Sequence, residues 1–77
     1  MDIKDKTLFD YMSEKDAFAF MGVPSILGRN AVEQHLKENP AINASHLIDY
    51  AVSIGNMKLK KQIEKAFAKE LNQHFNE

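Results

Sequence analysis

The sequence predicts an all-α fold: a compact bundle of four to five short helices that closes with a C-terminal helical hairpin over about 45–54 and 57–75. Apolar residues recur at three- and four-residue steps, the spacing that lines one face of a helix. Glycine, proline and asparagine fall between those runs, where helices stop and restart. The connections they leave are short, so consecutive helices must pack against each other.

Residues 7–21 read as helix broken near Ser13, where the hydroxyl of Ser13 and the following Asp16 form a capping pattern. Leu8 with Met12, and Ala17 with Met21, keep helical spacing. A short strand over 18–23, where aromatics alternate, is the competing reading. Helix is preferred because a lone strand has nowhere to pair. Gly22 and Pro24 end the segment.

Pro24-Ser25 opens the next element, with Leu27, Ala31, Val32, His35 and Leu36 on one face and Asn30 with Glu33 as a second capping pair. Gly28 weakens its first turn by about 1 kcal/mol relative to alanine. Asn39-Pro40 stops it, since a residue before proline avoids helical angles. The third helix runs from about Ser45 to Ile54, capped by Asn43 or Ser45, with Leu47, Ile48, Ala51, Val52 and Ile54 apolar. Gly55 terminates it in the left-handed conformation. Asn56 then caps a last helix over about 57–75, where Leu59, Ile63, Ala66, Phe67, Leu71 and Phe75 make the clearest amphipathic pattern in the chain.

With 77 residues there is room for one domain and a thin core, worth about 3–5 kcal/mol by itself. The absence of cysteine excludes disulfides and thiolate metal sites, leaving helix packing and self-association as stabilisers. A two-fold homodimer is the expected assembly. The hydrophobic fraction of 44% and charged fraction of 27% are those of a globular chain. No apolar run approaches the ~20 residues needed to span a bilayer, and residues 1–6 alternate charge without an apolar signal core. No membrane partner and a cytoplasmic location are expected.

Net charge is −1, placed unevenly: −3 over 1–55 and +2 over 56–77. On a helical wheel of the last helix, Lys58, Lys61, Lys65 and Lys69 form one stripe opposite Leu59, Ile63, Ala66 and Phe67. Such a stripe suits an anionic partner, nucleic acid included, through salt-sensitive phosphate contacts. A solvated face that keeps a small protein dispersed is the simpler account. In the N-terminal third, Phe9, Tyr11, Met12, Phe18, Phe20 and Met21 concentrate aromatics and thioethers, which are favoured at protein interfaces. Filling the core is their ordinary use.

The helix–Gly–helix unit over 45–75, with Ala51 four residues before Gly55, resembles the DNA-binding helix-turn-helix, and departs from it at Lys61 and Glu64, where that motif has buried aliphatics. Ile48, Ala51, Val52, Gly55, Asn56, Leu59 and Ile63 also resemble the paired helices of an ankyrin repeat. The step from Gly28 to Gly55 is 27 residues, however, against about 33 in that family. Residues 22–30 look like a late segment of lactate and malate dehydrogenases but carry none of that family's catalytic groups. No family is recognised.

Catalytic candidates are few. Ser45, His46 and Asp49 sit too close along one helix to line up as nucleophile, base and orienter. Glu70 and His74 could share a metal ion but have no obvious third ligand. His35 is expected to pack rather than react. The expected function is that of a small non-enzymatic helical binding protein, a regulator, inhibitor or adaptor, without cofactor or metal. Its expected partner is another protein, met through Phe18, Phe20 and Met21. The alternative is a nucleic-acid-binding protein using Lys58, Lys61, Lys65 and Lys69.

Overall fold

The computed structural model describes the backbone of residues 2–75 and the side chains of residues 2–73. Five α-helices follow two 3₁₀ turns, Ile3–Asp5 and Leu8–Asp10: α1 (Glu14–Met21), α2 (Arg29–Glu38), α3 (Pro40–Ser53), α4 (Met57–Ala66) and α5 (Ala68–Phe75). A third 3₁₀ turn, Ser25–Leu27, lies between α1 and α2. No strand occurs among the described residues, so the strand reading of 18–23 falls. The radius of gyration, 12.1 Å, is close to the ~11.5 Å of a compact chain this long.

The break at Ser13 is real, and its chemistry is the one the residues suggest. Ser13 Oγ accepts the backbone N–H of Asp16 at 3.2 Å, while Glu14 and Asp16 place negative charge at the positive end of α1. Ahead of the break the chain makes a 3₁₀ turn, with the Asp10 carboxylate accepting the Thr7 N–H at 2.6 Å. Gly22 closes α1 with φ 71.

The next element departs from expectation. Gly28 takes φ 78 and ψ 146, so it separates the Ser25–Leu27 turn from α2 instead of lying inside one helix. Leu27 is therefore off the α2 face and in solvent. Asn30 lies within α2 and caps nothing; Glu33 pairs with Arg29 at 3.4 Å and Lys37 at 3.7 Å. Only Val32 and Leu36, four apart, reach the core. Ala31 and His35 are exposed, because α2 meets the bundle along a stripe one residue wide. His35 instead faces Asn39, with Nδ1 3.2 Å from its amide nitrogen.

Helix α3 begins at Pro40, a turn earlier than Ser45. The proline that ends α2 also starts α3, since its fixed φ and missing N–H suit the first helical position. Asn43 and Ser45 are consequently interior to the helix. Asn43 is buried and its amide donates to the Lys6 carbonyl at 3.0 Å, tying the N-terminal segment to α3.

The hairpin turn is a Schellman motif: Asn56 N–H bonds the Ala51 carbonyl at 2.8 Å, and Gly55 N–H the Val52 carbonyl at 3.0 Å. Gly55 has φ 74, and Asn56 Oδ1 accepts the Leu59 N–H at 3.1 Å. The expected single helix over 57–75 is instead bent at Phe67, whose φ −108 and ψ 20 divide α4 from α5. The bend lets both segments follow α3, with Ile63 and Phe67 buried and Leu71 packed against the same core. The side chain of Phe75 lies outside the described residues.

Helix α3 contacts α2, α4, α5 and the Leu8–Asp10 turn. Its buried face is Asn43, Ala44, Leu47 and Ala51, where the alanines let neighbouring backbones approach closely. Leu8, Phe9, Ala17, Phe18, Val32, Leu36, Ile63 and Phe67 close around it. Phe67 is 1% exposed, and Phe67→Ala is expected to remove about 3–5 kcal/mol. That equals the whole stability expected of a core this size, so circular dichroism should show the variant largely unfolded at 25 °C.

Candidate functional site

Core formation divides the aromatic cluster. Phe18 is 7% exposed and packs edge-on against Phe9, with ring centroids 5.5 Å apart. Met21 is half-buried against the core. Phe20 alone of the three turns outward, at 38% exposure, and its ring meets Tyr50 edge-on at 6.1 Å. The Tyr50 hydroxyl donates to the Tyr11 carbonyl at 3.3 Å. Burial, and then the Asp10 carboxylate, push the Tyr11 phenol above its ordinary range.

The Phe20 contact places the last turn of α1 beside the last turn of α3. Three more large apolar side chains near the hairpin turn are about half exposed: Val52 and Ile54 at the end of α3, and Met57 at the start of α4. Ile54 follows Tyr50 by four residues and continues its face. Val52, expected on the buried face, lies opposite Asn43 on the helix and misses the core. The sequence reading grouped Val52 and Ile54 with the apolar residues of their helix, whereas Met57 falls on the lysine side of the next helix, opposite Leu59 and Ile63.

Lys58, Lys61 and Lys65 are all exposed on α4, and Met57 heads the same outward face, four residues before Lys61. None of the three has a carboxylate within 4.0 Å among the described residues, whereas Lys60 is bound to Glu64 at 3.0 Å. Lys69, also exposed, belongs to α5 beyond the Phe67 bend. The stripe is thus three lysines on one helix and one on the next.

At the far end of the hairpin the N-terminal turn is clamped down. Lys4 Nζ lies 2.8 Å from Glu70 Oε1 and 5.8 Å from the centroid of Phe67. The hydrogen bond from Lys4 holds the Glu70 carboxyl below its ordinary range. Ser45 and Asp49 line an open groove of ≈ 440 Å³ between α3 and the α4 and α5 arm, with Ile48, Glu64 and Leu71. No side-chain hydrogen bond joins Ser45, His46 and Asp49 among the described residues. The described residues hold no group of three metal-ligating side chains, and the His74 side chain lies outside them.

These features define a small all-α bundle with an apolar, lysine-edged hairpin tip, and no described helix is long and apolar enough to cross a membrane. No family model matches the chain, and neither a curated protein nor a solved structure is similar enough to it to match.

The clamp yields a pH-dependent prediction. Because the Glu70 carboxyl is lowered in the folded state, its contribution to stability is present above the ordinary carboxylate range and fades as pH falls through the lowered value. Lys4→Met should return the Glu70 titration midpoint toward the ordinary range and weaken the acid dependence of the melting temperature. Carbon-detected NMR titration of the Glu70 side chain measures the first effect directly.

Proposed function

We propose that the chain is a non-enzymatic helical binding protein that docks another protein through the tip of its hairpin. The observation that carries this reading is the apolar tip. Ile54 and Met57 flank the Gly55 turn about half exposed, and Phe20 lies against Tyr50 one helical turn before Ile54, while Val52 is half exposed on the opposite side of α3. Exposed apolar clusters with a polar rim are the usual footprint of protein contact. Lys58, Lys61 and Lys65 supply that rim and favour a partner surface bearing carboxylates. A cytoplasmic setting belongs to the same reading.

The lysines favour a second reading, a nucleic-acid-binding protein that lays α4 along a phosphate backbone. Its support is three unpaired lysines on one exposed face. With Lys69 carried on a different helix, the row that tracks phosphates is confined to α4, about 15 Å long.

The two readings respond oppositely to the same variants. Under protein docking, Met57→Glu should weaken capture of the partner by at least ~10-fold, the loss of one buried apolar side chain, and nuclease treatment should leave capture intact. Under the nucleic-acid reading, the double change Lys61→Glu and Lys65→Glu should abolish retardation of DNA or RNA, and wild-type affinity should drop steeply with salt. Absence of any retardation at low salt removes the second reading. Nuclease-sensitive capture that is indifferent to Met57→Glu removes the first.

A further inference from the structure

Resting on protein docking at the hairpin tip, we infer that the segment which docks is a short acidic helix of the partner, laid antiparallel along the outward face of α4. Lys58, Lys61 and Lys65 are exposed and fall within about 60° of one another around the helix. Met57, half exposed, lies about 40° from Lys61 on the same side. Along the axis Lys61 stands about 6 Å from Lys65 and about 4.5 Å from Lys58. None of the three lysines has an ion-pair partner among the described residues. The carboxylates on the elements packed around α4 do not neutralise this row. Glu64, the one carboxylate of α4, lies about 60° round from Lys61 and is held by Lys60 at 3.0 Å. Asp49 of α3 lines a groove with Glu64, Glu70 of α5 is bound to Lys4, and Asp2 and Asp5 at the N-terminal turn pair with none of the three.

Charge and spacing together select the occupant. A helix presents side chains on one face at steps of three and four residues. Laid antiparallel on α4, it brings one carboxylate to Lys65, a second four residues on to Lys61, and a third after three more to Lys58. The next residue of the partner then arrives at Met57, where an apolar side chain is matched. A nucleic-acid strand uses less of this face. The lysine row is about 10 Å long, Met57 offers nothing to a phosphate, and the chain as a whole carries −1. A polyanion running past the row meets the carboxylates around it, which repel it. A short acidic segment ends before it does.

Fluorescence anisotropy at low ionic strength tests the assignment, with a labelled peptide of about 15 residues, long enough to hold a helix. It carries glutamate at the three acidic positions and leucine after the last. It is expected to bind the full chain at least ~10-fold more tightly than its glutamine counterpart, the combined worth of three exposed charge pairs. Lys61→Ala with Lys65→Ala should erase most of that difference, whereas Met57→Ala should weaken both peptides alike. Circular dichroism melts of the lysine variant should match wild type, since both side chains are exposed. Equal binding of the two peptides, or no binding of either, overturns the inference. So does tighter binding of a single-stranded DNA of the same length that is lost on the two lysine substitutions, which would give the row to nucleic acid. Partner capture that is lost on Met57→Glu and kept by the lysine variant removes the acidic helix and leaves docking at the tip standing. Capture indifferent to both removes the two together.

Discussion

Burial of one face of α3 organises the molecule. Asn43, Ala44, Leu47 and Ala51 lie along it, and each other element reaches the core by contributing one or two large side chains to that strip. Leu36 comes from α2, Ile63 from α4, Phe67 from the bend, and Leu8 and Phe9 from the N-terminal turn. The alanines allow the neighbouring backbones close enough for these few residues to meet across the helix. Even the buried polar group serves this axis: the Asn43 amide holds the Lys6 carbonyl, so the N-terminal segment is positioned from α3 instead of by its own short turns. A chain with so few fully buried side chains has little redundancy, and each of them bears a large fraction of the net stability.

The same economy decides what is left outside. Phe9, Phe18 and Phe67 are buried around α3, while Val52 faces away from that buried strip and Ile54 and Met57 flank the Schellman turn, where they stay about half exposed. The helix bend has a parallel effect on charge. A straight helix over 57–75 would align four lysines; the turn at Phe67 keeps the aromatic ring inside and diverts Lys69 to α5. Packing therefore determines the outline of the surface available for recognition, and it does so through side chains that never touch a partner.

How much of this could be read in the residues depends on what kind of interaction was at stake. Local hydrogen-bonding signals were legible. Ser13, Gly22, Gly55 and Asn56 each perform the capping or terminating role that their chemistry suggests, since those roles involve groups within a few residues. Pro40 was half legible, because the ring that prevents one helix from continuing also begins another. The bend at Phe67 was hidden, since it answers to the position of α3 and leaves the apolar period unchanged. The exposed residues divide in the same way. Val52 and Ile54 carry a period that cannot tell a covered face from one that overshoots its cover. Ile26 and Leu27 were hidden differently, because the residues after Pro24 read as the first turn of a helix with Leu27 on its apolar face; Gly28 at φ 78 instead leaves both in a loop, a violation of the polar pattern expected there.

That last violation bears on how the two apolar surfaces differ. Residues at the hairpin tip extend regular helices, and some exposure follows whenever a helix outruns the element beneath it. The loop has no such structural origin. Two glycines at positive φ give up conformational freedom of the unfolded chain that an ordinary residue would not have had, and the turn they frame buries neither of its large side chains. In a protein whose core supplies only a few kcal/mol, a turn that leaves both of its large apolar side chains in solvent adds nothing to that core.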